Sequence, residues 1–272
     1  MILILCLIIL TATIARTQEA PETRNAEKDR IEAERLWEQM VKVKGGRERL
    51  YSISNMMLTK GNKVDDVQMQ LYVYPNKYWE WNKGIAFHNT LWIKMANLDL
   101  GVFFVADHSD LLKYEKDLSA IGRADYREGY LMEACAFLLE TKWLKPTPNR
   151  VRQQIVGKQK LDVIETDFTT LEKYRNWRLD FYIDPESLVV QGVEHYGDDG
   201  KSYSFYSFGR YTTVDGIQVP LEYVDVYRVS ELNKASLTPL TFQFNVDYDQ
   251  KVFERPPSAE AGPDAWKPKA KP

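Results

Sequence analysis

Apolar residues recur at every second position along much of this chain. From Leu240 they fall at Leu240, Phe242, Phe244 and Val246, with Thr241, Gln243, Asn245 and Asp247 between them. Trp177, Leu179, Phe181 and Ile183 alternate in the same way with Arg178, Asp180 and Tyr182, and Val67, Met69, Leu71 and Val73 interleave with Gln68, Gln70 and Tyr72. Successive strand side chains point to opposite faces, so the pattern predicts an antiparallel sheet with one apolar and one wet face. The second half reads as consecutive hairpins. Strands are expected over 150–156, 159–168, 177–184, 188–196, 202–211, 217–229 and 237–246, with turns at Gly157, Pro185, Gly197 to Gly200 and Asp215-Gly216. Earlier strands are expected over 54–60, 66–74, 77–81 and 85–95, and Val102 to Val105 reads as a further buried strand followed by a short helix or loop.

Two segments carry helical spacing instead. Ile31, Leu36, Trp37, Met40 and Val41 form a stripe over 27–43, and Gly45-Gly46 after the last basic turn suits a C-cap. Over 125–144, Leu131, Ala134, Cys135, Leu138 and Leu139 share a face, ahead of Pro146 and Pro148. A broad one-sided sheet with few helices to cover it is an α+β arrangement, and what fills its concavity becomes the functional question.

The chain opens on an apolar run from Met1 to Leu10, followed by small residues through Ala15 and polar ones from Arg16. That run is short for a bilayer span and reads as the core of a signal peptide over 1–20, implying export. A retained anchor is the competing reading, since no charged residue precedes the run. Without that segment Cys135 is the sole cysteine, so stability is expected from core burial and not from a disulfide. A net charge of -3 leaves no basic footprint for nucleic acid. The last residues, 258–272, are rich in Pro and Lys and lack periodicity, which fits a disordered tail.

Catalytic signals are weak. His108-Ser109-Asp110 are chain neighbours and cannot converge as nucleophile, base and orienter. His88 and His195 stand alone, so neither a metal nor any other cofactor is expected. Asp198-Asp199 between glycines lacks the further oxygen ligands of a calcium loop and reads as a hairpin turn. Cys135 on an apolar helix face reads as a buried small hydrophobe. The constellation that remains is apolar: Trp79 and Trp81 share a strand face, and they either line a ligand cavity or pack as core.

Several segments together resemble the LolA/LolB-like periplasmic lipoprotein-carrier superfamily over roughly Glu27 to Pro257. They are Tyr74-Pro75-Asn76-Lys77-Tyr78-Trp79, Asn89 to Ile93, Asp180 to Pro185, the Val214-Asp215-Gly216-Ile217-Gln218-Val219-Pro220 hairpin, and Phe244-Asn245-Val246 leading to Val252-Phe253. The resemblance implies an open antiparallel β half-barrel of about ten or eleven strands, with helices over its concave face and a hydrophobic cavity between. It further implies a non-enzymatic, monomeric periplasmic carrier of lipid or lipoprotein acyl chains, with an envelope transport partner. The rival reading is a structural or interaction module whose concave face is filled by its own side chains. An outer-membrane barrel fits the polar intervals and internal helices poorly. Two departures stand out: Trp79 occupies the position of a cavity arginine, and the lipidated N-terminal cysteine of the family's outer-membrane acceptor has no counterpart, since Cys6 sits inside the apolar run and not after a small-residue lipobox. The expected cavity lining is Met69, Leu71, Trp79, Trp81 and Trp92 from early strands and Leu131 and Leu138 from the helix. Leu179, Phe181, Phe242 and Phe244 complete it from the later strands, and Trp79 in place of a charge implies a dry pocket.

Overall fold

A computed structural model describes residues 26–254, except 64–65, 84–90, 108–109, 116 and 228. The signal segment and the tail expected at 258–272 lie outside the described residues, as does His88.

Six strands come first: β1 (Asn55–Lys63), β2 (Asp66–Val73), β3 (Lys77–Lys83), β4 (Leu91–Asn97), β5 (Val102–Asp107) and β6 (Asp110–Glu115). Seven follow: β7 (Thr147–Val156), β8 (Gln159–Asp167), β9 (Arg178–Ile183), β10 (Val190–Tyr196), β11 (Ser202–Val214), β12 (Ile217–Val226) and β13 (Thr238–Phe244). All join one open sheet in the order β6-β5-β4-β3-β2-β1-β13-β12-β11-β10-β9-β8-β7. Two antiparallel meanders therefore meet at a central seam, where Met56 pairs with Phe244 and Leu58 with Phe242. Among the described residues β6 and β7 are the edges, and the sheet does not close. This is the expected α+β half-barrel, with thirteen strands where ten or eleven were anticipated. β6 occupies a stretch that reads as helix or loop, because tertiary pairing with β5 outweighs its weak local pattern.

Helices α1 (Ala26–Lys44) and α3 (Ala120–Leu138), with the short α2 (Arg47–Tyr51), cover one face. Gly45 and Gly46 end α1 at φ 135° and 87°, and Gly46 N–H donates to Val41 O at 2.8 Å. A Cβ on Gly45 would stand 2.5 Å from the Gly216 carbonyl oxygen, so the turn requires glycine. Ser119 caps α3, its hydroxyl accepting from Gly122 N–H at 3.0 Å. The three helices meet at Glu140, whose fully buried carboxylate accepts from Trp37 Nε1 at 3.0 Å and Arg47 Nε at 2.5 Å. Losing either partner would leave a buried charge poorly satisfied, a penalty of several kcal/mol on the order of 3–5.

Between helices and sheet lies the larger core. Trp37 of α1 meets Phe181 edge-to-face at 5.1 Å, and Phe137 of α3 meets Phe242 at 5.7 Å. Further along α3, Tyr130 stacks on Tyr78 at 4.3 Å and Tyr126 on Phe103 at 4.4 Å. A second cluster lies on the other face of the first meander, where Trp79, Trp81, Met95 and Phe104 pack beneath Val252 and Phe253. Asn97 Nδ2 donates to the Phe253 carbonyl at 2.9 Å and holds this C-terminal strap in place.

Candidate functional site

The inner face of the first meander changes character along its strands. At one end it presents Met56, Leu58, Tyr72 and Ala96 to the core. At the other it carries Lys60, Gln68, Gln70, Glu80 and Lys94. Strand register brings these into one belt: Lys60 pairs with Gln68, Gln70 with Glu80, and Glu80 with Lys94. Glu133 of α3 faces the belt, with Gln70 Nε2 at 3.5 Å from its carboxylate. Tyr223 and Asp225 of β12, Ala235 and Ser236 ahead of β13, and Thr238 at its start close the far side. The resulting pocket has a volume of about 570 Å³. It opens where β12 and β13 share only two register pairs, Glu222 with Pro239 and Tyr223 with Thr238. Pro239 has no N–H to extend that ladder, and the 3-10 turn Val229–Lys234 diverts the chain just before it.

The carboxylates of the pocket have neutral donors. Glu80 accepts from Gln68 Nε2 at 2.6 Å and from the Tyr78 hydroxyl at 2.5 Å, and Asp225 accepts from Ser204 Oγ at 2.8 Å. The lysines are different. Lys60 is only 5% exposed, and its ammonium lies 5.5 Å from the Tyr223 ring centre and 5.9 Å from that of Phe137. Burial alone would lower its pKa, yet the surrounding Tyr223, Glu133, Glu80 and Asp225 outweigh that and hold it above the ordinary lysine value. Lys94 lies over Tyr78 and Tyr130 at 5.3 and 5.4 Å. His195 is buried on the same face of β10, with its Nε2 unpartnered and its pKa pushed to about 3 by burial and by Lys60. It therefore stays neutral at any physiological pH.

Six of the residues expected to line the cavity come together. Leu131, Leu138, Leu179, Phe181, Phe242 and Phe244 belong to the inner cluster beneath the helices. Four do not: Met69, Leu71, Trp79 and Trp81 lie with the outer cluster, and Trp79 touches neither α3 nor the pocket. The physical reason is the C-terminal strap. Val246, Tyr248, Val252 and Phe253 cover the outer face of β2–β5, so the greasy half of the alternation faces outward and Gln68, Gln70, Tyr78 and Glu80 face inward. Trp92 sits opposite Asn82 in register, and its side chain lies outside the described residues. The expected dryness is corrected too, since the open volume beside α3 is charged. Of the residues not anticipated from the sequence, Gln70 and Lys94 are legible only as the polar partners of apolar alternation, while Lys60 continues the inward face of Met56 and Leu58, and Glu133 is a polar position on α3.

The other candidates behave simply. Cys135 is fully buried, its thiol pushed up by burial and its Sγ 3.7 Å from the Leu144 carbonyl oxygen. Asp198-Asp199 form a hairpin turn, with Gly197 N–H donating to Lys201 O at 3.1 Å. His108 and Ser109 lie outside the described residues. No group of three or more potential metal ligands gathers among the described residues.

No protein-family model matches the chain, and no curated protein matches it either. Solved structures do. A domain provisionally called an outer membrane lipoprotein-sorting protein, from Vibrio parahaemolyticus, is similar at 13% identity and a TM-score of 0.41, covering 84% of this chain and 97% of its own. A LolA superfamily protein from Nitrosomonas europaea is similar at 10% identity and a TM-score of 0.44, covering 82% and 97%. A DUF1329 family protein from Desulfovibrio piger is similar at 10% identity and a TM-score of 0.40, with the same coverage.

Proposed function

We propose that this chain is an exported, non-enzymatic binding protein of the cell envelope, which carries an amphiphile in the cleft between the sheet and α3. The ligand's polar end would occupy the charged pocket and its acyl chain would run beneath α3. One observation supports this above others: the pocket and the apolar core are continuous. Lys60 lies over Phe137 and Lys94 over Tyr130, and both rings belong to the cluster that holds Leu131, Leu138 and Phe242. An amphiphile entering the pocket would meet apolar side chains immediately behind its head. Each buried methylene is worth about 0.8 kcal/mol, so an acyl chain of ordinary length could displace the aromatic contacts of α3 and still bind.

A transport partner that loads or unloads the cleft, and a periplasmic location, belong to the same proposal. The rival module reading draws on a specific feature, the dense filling of the inner core by its own aromatic rings. Native mass spectrometry of protein gently purified from its host envelope separates the two. A co-purified lipid of defined mass, lost on organic extraction, is the expected result. A single bare mass from every preparation, with no saturable uptake of a fluorescent fatty-acid analogue, would favour the self-filled module.

A further inference from the structure

Resting on the carrier reading above, we infer that the group recognised in the pocket is an anion, a carboxylate or phosphate, held by the ammonium groups of Lys60 and Lys94. The pocket contains acids as well as bases, so charge alone does not decide this. Hydrogen bonding does. Glu80, Glu133 and Asp225 already face neutral donors, from Gln68 and Tyr78, from Gln70, and from Ser204 respectively. Neither lysine has a hydrogen bond or a carboxylate within ion-pair distance among the described residues; each rests on two aromatic rings instead. Each carboxylate of the pocket thus accepts at least one hydrogen bond, and Glu80 accepts on both oxygens. Among the described lining residues the two ammonium groups are the charged groups that no protein partner engages.

Lys60 makes the point most sharply. Each ammonium carries three donors and no acceptor, and buried polar groups in folded proteins are nearly always hydrogen-bonded. Lys60 is 5% exposed and lines the pocket, with its ammonium over two aromatic rings. An acceptor that enters the pocket therefore meets donors that no described protein group has taken. The nearby carboxylates do not supply that acceptor, but they keep Lys60 protonated and ready. Charge-assisted hydrogen bonds of this kind discriminate, because a neutral hydroxyl head accepts fewer and weaker bonds from the ammonium groups than an anion does.

A free anion and an anionic lipid head share this chemistry, and one experiment tells them apart. Full-length protein is titrated with tetradecyl phosphate, tetradecanol and inorganic phosphate, in wild type and in Lys60→Gln and Lys94→Gln, with melting curves confirming that each variant is folded. Tetradecyl phosphate is expected to bind about tenfold tighter than tetradecanol, as one to two charge-assisted bonds imply. Both substitutions should shrink that preference severalfold, by weakening tetradecyl phosphate more than tetradecanol. Equal affinity for the two alkyl ligands, or a preference that survives both substitutions, would overturn the anion site and leave the carrier reading standing. Inorganic phosphate binding as tightly as tetradecyl phosphate, and lost in both variants, would uphold the anion site and remove the carrier reading. Should neither phosphate-bearing ligand bind, the anion site is wrong, and the tetradecanol titration alone judges the carrier.

Discussion

The two meanders of this sheet solve the same problem in opposite ways. In the second, the bulky apolar residues of β9 and β10 point inward: Leu179, Phe181, Ile183 and Val193 belong to the core that holds Trp37 of α1. Its outer face carries a smaller apolar cluster that includes Leu161, Val163, Tyr182 and Phe205, and beside it a charged network in which Asp180 is completely buried between Arg152 and Arg178 at 2.9 and 2.7 Å. In the first meander, the bulk points outward under the C-terminal strap, and the inner face of the same strands is left free for lysines, glutamines and glutamates. A helix-covered face packed like the second meander alone would be solid core. The reversal is what creates a polar pocket at the edge of an apolar interior.

The largest effect should come from the outer cluster. Trp79→Ala removes a fully buried indole, and large-to-small changes of this kind cost about 3–5 kcal/mol. Denaturant unfolding should register that loss with no change in ligand affinity, because the side chain lies on the face of β3 opposite the pocket. An affinity change at wild-type stability would mean that the faces have been assigned the wrong way round.

A smaller effect belongs to Asp180. Burial raises its pKa to about 6, against the opposing pull of Arg178 and Arg152. A carboxyl whose folded pKa lies above its unfolded value holds more protons when folded, so stability falls as pH rises between the two values. The nearby Glu165 has a lowered pKa and acts in the reverse sense at the acid end. Chemical unfolding across roughly pH 4.5 to 6 should therefore show declining stability in wild type, with a shallower slope in Asp180→Asn. Parallel slopes would mean that the buried charges of this outer face do not set it apart from the outer face of the first meander.

How far these two faces could be read from sequence differs with the element. Period-two alternation located most strands and fixed which residues share a face, as Trp79 with Trp81 and Leu179 with Phe181. It could not say which face is inner, because a strand pattern is symmetric until something covers one side. In the second meander, α1 and α3 lie on the apolar side, so the obvious choice holds. In the first, the deciding element is Val246 to Phe253, remote in sequence and too short for its own periodicity to announce a packing role. Lys60 was hidden for a related reason. It is the last inward residue of β1 before Gly61, where an exposed charge is the ordinary expectation, and only the approach of β12 and α3 buries it.

The next effect is modest. Lys60→Met removes an ammonium whose burial is outweighed by Tyr223, Glu133, Glu80 and Asp225, which hold it charged, so the protein should lose about 1 kcal/mol. Thermal melting without ligand would detect it. A gain of stability would mean that burial outweighs those neighbours on the inner face. The smallest effect is at Lys201, whose side chain is 82% exposed in a turn. Lys201→Ala should stay within about 0.5 kcal/mol and leave binding untouched, giving both meanders a common control.

On the proposed reading, ligand lies on the inner face, between the belt of β1–β4 and α3, and not against the tryptophans outside. An alkyl phosphate bearing a photoreactive group on its chain, cross-linked to the protein and mapped by peptide mass spectrometry, tests this directly. Adducts are expected on α3 within Ala120–Leu138 and on the inner residues of β1, β3 and β13. Adducts concentrated on Trp79, Trp81 or the Val246 to Phe253 strap would contradict it.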